Sequence, residues 1–419
     1  MLERLRTETG LVRIALGVLA VHILDDALLQ PQRGTSAGDH LVSGLVPTAL
    51  LIGVAWAYPR LRAGFRASLA LAFGLFAVAV GGGEAGYYTL EGGPSGDDYT
   101  GLLALAAGLL LLAVAAVTLW RSRRLGDRLP RRYARRTLLG IAGVLVFLFV
   151  VLPVQLAYVF THAATDTALP RADLGKSYES VTFRTRDGLE LNGWYVPSRN
   201  GAAVIAFPGR GQPQAHARML ARNGYGVLLF DPRGEGESEG TPNPFGWHGA
   251  RDLKAALDFL QARPDVDDDR IGGIGLSVGG ELLIETAAED PALKAVVSEG
   301  AGFRSVRELV DAPGLANRLL APHIAVLTGA VAVFSDTAPP PHLRSYVGRI
   351  APRPLFLIHA THGQGGEELN RDYYRAAAEP KTRWEISDAK HTRGLNVHPR
   401  EYEHRVVGFF DLALLKPSR

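Results

Sequence analysis

The chain has 419 residues, a length suited to two or three domains, and 47% of them are hydrophobic against only 21% charged. That balance, with a mean hydropathy of +0.07, excludes a disordered chain and a collagen-like repeat and leans away from an ordinary soluble enzyme. The net charge of +3 is set by one stretch, Arg121 to Arg136, with eight Arg against one Asp; the rest is net negative, which speaks against a nucleic-acid partner.

The apolar residues concentrate in the first 160 positions, in five stretches at about 11–29, 41–58, 67–88, 101–120 and 137–160. Each approaches the roughly 20 residues needed to cross about 30 Å of hydrocarbon. A backbone in lipid must satisfy its own polar groups, so residues 1–160 are predicted to form a bundle of five transmembrane helices. Arg4, Arg6 and Arg13 also suit a signal peptide, but four further spans favour an anchor.

Arginine in the short loops predicts orientation. Arg60, Arg62 and Arg66 follow the second span and the eight-Arg run follows the fourth, so both loops are expected in the cytoplasm. Residues 91–98, EGGPSGDD, hold no Lys or Arg, and the first loop has only Arg33 beside Asp39. Those loops are expected outside. The N-terminus is then cytoplasmic and everything after Phe160 extracytoplasmic; abundant Ala, Gly and Arg suggest a bacterial cell membrane. His22, Asp25, Asp26 and Glu84 interrupt the spans in their outer half, at a cost in lipid. They are expected to make a polar contact to the C-terminal domain or a small hydrophilic pocket, with a plain interfacial location as the alternative.

A linker over 161–179 leads into a region, 180–415, where short apolar runs alternate with helical patterns, as in an α/β sheet. Strands are predicted at 180–185, 189–196, 203–207, 226–230, 271–276, 293–298, 354–359 and 382–386. Helices are predicted at 214–222, 249–263, 278–288, 368–378 and 399–414. Arg186-Asp187-Gly188 is a good hairpin turn between the first two strands. Residues 300–350 are placed to form a cap. Their apolar stretch 319–334 is short for a span and is expected to be a buried cap helix, with the lining of an acyl pocket or the outer leaflet as alternatives.

The strongest local feature is Gly275-Leu276-Ser277-Val278-Gly279 between an apolar strand and a helix. A turn this tight needs small residues two positions either side of the serine, whose Oγ is then raised above the sheet edge as a nucleophile. Serine needs a base, and His391, in the loop after the last strand, fits the order serine, acid, histidine better than His398, His359 or His362. The acid is expected after the seventh strand, where Glu367 is chosen ahead of Glu368, with Glu299 third. An oxyanion hole needs two backbone N–H groups, expected from Val278 and, in the turn Phe207-Pro-Gly-Arg-Gly211, from Arg210. The absence of cysteine excludes disulfides, thiolate metal sites and a cysteine nucleophile. No metal or organic cofactor is called for.

From about Ser180 to Asp411 the chain resembles an α/β-hydrolase, on the residues FDPRGEGESEG at 230–240, the GLSVG turn and Ala389-Lys390-His391. It is similar to the serine-hydrolase branch containing BEM46-like and dienelactone-hydrolase-like proteins. The resemblance implies an eight-stranded, mostly parallel sheet and a Ser-acid-His triad. Two positions depart from that pattern: Pro208 stands where a histidine usually precedes the oxyanion glycine, and glutamates replace the usual aspartate of the acid loop. The expectation is a membrane-anchored serine hydrolase of esters or thioesters, acting on a small-molecule or lipid-like acyl substrate among membrane lipids. A serine peptidase, or a hydrolase-like binding or sensor module without turnover, are the alternatives.

Overall fold

The computed structural model describes residues 7–122, 129–162, 174–209, 213–243, 245–312, 314–363 and 365–415. The chain divides into two compact units. One contains residues up to Ala163 together with Pro322–Thr337; the other contains Ala164–Ala321 and Ala338–Arg419.

The first unit is helical. Its main helices are α1 (Glu8–Leu24), α2 (Leu41–Ala57), α3 (Ala63–Val78), α4 (Asp98–Arg121), α5 (Leu129–Val146) and α6 (Leu152–His162). Small residues let α3 and α4 approach closely: a Cβ on Gly108 would come within 2.9 Å of Ala77 Cβ and of the Val78 backbone nitrogen. Three of the four ionisable groups that interrupt the predicted spans, His22, Asp25 and Asp26, have polar partners inside this unit. His22 Nδ1 lies 3.1 Å from Thr100 Oγ1, whose hydroxyl donates to Asp25 at 2.7 Å. Asp26 pairs with His162 at 3.2 Å. The side chain of Glu84 lies outside the described residues.

Among the described residues, five helices are long and apolar enough to cross a membrane, by length and composition: Ala37–Arg60, Ala63–Gly83, Asp98–Arg121, Tyr133–His162 and Leu315–Phe334. The helix beginning at Glu8, expected as the first span, is not among them because Arg13, Asp25 and Asp26 all fall within it and its π-helical continuation, Asp25–Leu29. The fifth is instead the stretch expected to be a buried cap helix. From Pro322 onward it belongs to the first unit: Phe334 packs edge-on to Tyr158 at 5.5 Å, and the Asp336 carboxylate accepts the Val42 and Ser43 N–H groups at 2.7 and 3.0 Å, capping α2.

The second unit is an eight-stranded sheet flanked by helices. Its strands are β1 (Glu179–Arg184), β2 (Glu190–Val196), β3 (Ala203–Phe207), β4 (Gly226–Phe230), β5 (Ile271–Leu276), β6 (Ala295–Glu299), β7 (Leu355–Ala360) and β8 (Lys381–Ile386). They lie in the order β1-β2-β4-β3-β5-β6-β7-β8; β1 and β2 run antiparallel to their neighbours, and the rest are parallel. The five strands from β3 to β7 are buried along their whole length, which is why they read as mainly apolar runs, broken only by Ser298 and Glu299 at the end of β6 and His359 in β7. One face packs Phe207, Phe230, Leu257 and Leu282; the other packs Val204, Val297, Phe356 and Phe410. The principal helices from β3 onward are α7 (Gln214–Arg222), α8 (Gly249–Gln261), α9 (Val278–Glu289), α10 (Leu315–Phe334), whose part from Pro322 belongs to the first unit, α11 (Asn370–Ala376) and α12 (Pro399–Phe410).

β6 and β7 precede and follow α10 in the chain and are hydrogen-bonded neighbours. A sheet cannot straddle a bilayer in this way, so the segment from β6 to β7 as a whole makes no net crossing of any membrane. The hydropathy of α10 therefore adds no net crossing.

Candidate active site

β5 ends at Leu276 and α9 begins at Val278, leaving Ser277 alone to turn the chain. Its φ of 54° and ψ of −122° are strained for a residue with a Cβ, and such strain persists only where the surroundings enforce it. Here the glycines permit the crowding. A Cβ on Gly275 would run into the Gly279 carbonyl, and one on Gly279 would meet the Pro208 carbonyl and come within 2.7 Å of the Phe207 oxygen. The serine is half-buried.

Val278 is the first residue of α9, where the helix supplies no carbonyl partner for its N–H. Gly209, just after β3, lies against the same turn, since a Cβ there would sit 2.9 Å from Ser277 Cβ. Arg210, the other expected oxyanion residue, lies outside the described residues.

His391 occupies the loop after β8, and its Nδ1 hydrogen-bonds the Glu367 carboxylate. Glu367 is fully buried, and its second oxygen accepts the Ala360 N–H at 2.8 Å. With Nδ1 donating to the carboxylate, Nε2 keeps its lone pair and can accept a proton. The other expected acids face elsewhere. Glu368 accepts from Asn317 at 3.4 Å, whereas Glu299 accepts the Gly394 N–H at 2.9 Å and the Tyr402 hydroxyl at 2.6 Å. Of the other histidines, His398 pairs with Asp388 at 2.8 Å, His359 is buried within β7, and His362 is exposed.

The serine turn and the His391 loop meet at the end of β6. The Ser277 N–H donates to the Glu299 carbonyl at 2.7 Å, and a Cβ on the next residue, Gly300, would lie 3.2 Å from His391 Cε1. Gly300, at φ +76°, thus gives the imidazole room.

The surrounding carboxyls are tuned differently. Burial disfavours the charge on Glu299, but His216, Tyr402 and the Gly394 N–H more than offset it and hold its pKa below the ordinary value. Glu281, one turn after the serine, is pushed up by burial despite the opposing Arg304. Among the described residues no group of three His, Cys, Asp or Glu is placed to hold a metal ion.

One set of residues had no assigned role in the sequence reading. Arg233, inside the FDPRGEGESEG stretch, donates to the fully buried Asp252 at 2.6 Å and to Asp187 at 2.9 Å. Its motif is visible in the sequence; its two partners, distant along the chain, are not.

Residues 165–344 match the family model described as X-Pro dipeptidyl-peptidase (S15 family). The uncharacterized protein YfhR of Escherichia coli O157:H7 is 30% identical over 260 residues, 58% of this chain and 83% of YfhR. The thiohydrolase aneE of Aspergillus aculeatus is 30% identical over 200 residues, 45% of this chain and 61% of aneE. Among solved structures, the Pyrococcus furiosus esterase Pf2001 superposes with a TM-score of 0.50 at 25% identity, covering 60% of this chain and 96% of the esterase. With that identity across most of YfhR, and with the eight-stranded sheet and strand–turn–helix serine described above, the chain belongs to the YfhR family and its C-terminal unit is an α/β-hydrolase by fold.

Proposed function

We propose that the chain is a membrane-anchored serine hydrolase that cleaves an ester or thioester through an acyl-enzyme. Ser277 Oγ attacks the acyl carbonyl while His391 Nε2 takes its proton. Glu367 holds the ring in the required tautomer and stabilises the imidazolium. The Val278 N–H and a second N–H from the loop after β3, at Arg210, receive the developing oxyanion. The imidazolium returns the proton to the leaving group, and water, activated by the same histidine, releases the acid. The observation that carries this reading is His391 held by the buried Glu367 beside the β6 terminus that also binds the Ser277 backbone. The similarity to an esterase and a thiohydrolase supports the ester or thioester class.

Labelling with a fluorophosphonate probe tests the assignment. Wild type is expected to react, and Ser277→Ala and His391→Ala to lose the reaction; a folded wild type that takes up no probe overturns catalysis and favours a binding module. The match to the S15 peptidase model makes an amide the second reading, and a panel of short esters, thioesters and dipeptide amides separates the two.

The apolar helices support an integral anchor, and the arginine-rich loops support a cytoplasmic N-terminus and an extracytoplasmic hydrolase unit in a bacterial cell membrane. A membrane-impermeant probe on intact cells should then label Ser277. Labelling only after lysis reverses the orientation. A lipid-like acyl substrate fits an enzyme whose anchor keeps it where such molecules concentrate.

A further inference from the structure

Glu299 is not the acid that meets His391, yet it hydrogen-bonds both the serine turn and the His391 loop. It ends β6 and is 2% exposed. Its main-chain oxygen accepts the Ser277 N–H at 2.7 Å, in register with the pairing of Leu276 and Glu299 across β5 and β6. Its side chain faces the other catalytic loop. Oε1 accepts the N–H of Gly394, three residues beyond His391, at 2.9 Å, and Oε2 accepts the Tyr402 hydroxyl of α12 at 2.6 Å. His216 Nε2, on the helix that follows the oxyanion loop, lies 3.4 Å from Oε2.

We infer that Glu299 is a positioning residue that holds the His391 loop in fixed relation to the Ser277 turn. One residue thereby ties three chain segments: the nucleophile through its carbonyl, the base loop through one carboxylate oxygen, and α12 through the other, which accepts the Tyr402 hydroxyl. The loop needs such a tether. Thr392, directly after the base, has φ of 51°, and the chain turns there with Gly300 packed beneath it: a Cβ on that glycine would lie 2.9 Å from Thr392 Cγ2. Glu367 fixes the ring, but a ring hydrogen bond leaves the loop backbone free to shift. Glu299 supplies the missing restraint on that backbone. A displacement of about 1 Å between base and nucleophile can cost on the order of 100-fold in rate.

The inference rests on the serine-hydrolase reading for its effect on rate, but not for its effect on the loop. Both are measured on the full chain in detergent. In Glu299→Ala, hydrogen–deuterium exchange of the segment 388–398 is expected to accelerate at least about tenfold, as befits loss of a charged acceptor. Fluorophosphonate labelling of Ser277 is expected to slow roughly 100-fold, and kcat on a short soluble ester to fall with little change in KM. Glu299→Gln, which keeps an oxygen for the Gly394 N–H, should recover most of both. Glu299→Asp, one methylene too short to reach Gly394 and Tyr402 together, replaces the alanine variant if that one does not fold, with the same direction of change. Unchanged exchange in a folded Ala or Asp variant overturns the inference, as does a Gln variant as impaired as Ala in both readouts. If wild type takes up no probe, the hydrolase reading fails by itself, and the exchange experiment still decides whether Glu299 anchors the loop.

Discussion

Glu367 is a fully buried partner of the His391 ring: one carboxylate oxygen meets Nδ1 while the other is held by the Ala360 N–H at the end of β7. The acid is therefore fixed by the sheet itself, and the imidazole inherits its orientation from a strand terminus rather than from its own loop.

Replacing that charge tests the arrangement. A neutral amide in Glu367→Gln can present its NH2 to Nδ1, which moves the ring proton to Nε2 and removes the base. The kcat/KM for a short ester is expected to fall about 10³–10⁴-fold, with the melting temperature nearly unchanged. Steady-state kinetics beside a thermal melt reads both.

Gly279→Ala should damage stability and rate together. Its new Cβ would be driven into backbone carbonyls of Phe207 and Pro208, which cannot rotate away. A loss of about 1–3 kcal/mol is expected from overpacking, seen as a lower melting temperature of the full chain, together with slower probe labelling because the serine turn and oxyanion loop are pushed apart.

Arg233 sits between two carboxylates, one of them wholly buried. Truncation in Arg233→Ala strands Asp252 without its counter-charge and is expected to cost about 3–5 kcal/mol. The double variant Arg233→Met with Asp252→Leu should recover most of that loss, because it removes both desolvated charges. Denaturant unfolding of the three proteins checks the sign.

Part of the acid sensitivity should trace to His248. Burial, with help from Arg251 and Arg233 and against Asp187, lowers its pKa from 6.5 to about 4. The unfolded chain then binds a proton in that interval while the folded one does not, so stability falls as pH drops from about 6.5 to 4. His248→Asn, which tolerates the positive φ of 70° at this position, should flatten the profile there. Melting temperature against pH for both proteins is the measurement.

Much of this molecule is written in short-range pattern. A strand buried on both faces is a run of apolar residues, and a serine on a strand-to-helix turn demands glycine two places away on each side, so β3 to β7 and Ser277 are legible without a fold. The order of chemistry along the chain brought His391 forward for the same reason: it follows the last strand of a sheet whose connections are regular.

Other features needed three dimensions. Glu367 and Glu368 begin one 3₁₀ turn, Glu367–Leu369, where neighbouring side chains point roughly 120° apart, so only one can face the end of β7 and the His391 ring. Glu299 looks like a third candidate acid until its carboxylate is seen bound to Gly394 and Tyr402. The apolar stretch after Leu315 reads identically whether it lies in a hydrolase cap or among the N-terminal helices, because hydropathy measures only that it avoids water. By itself, then, the sequence determined the two-part organisation, the sheet and the serine turn, since each depends on residues close together in the chain. The tertiary structure alone decided which carboxylate serves the histidine, what holds Arg233 and where the late apolar helix packs, since those depend on residues that only folding brings within reach of one another.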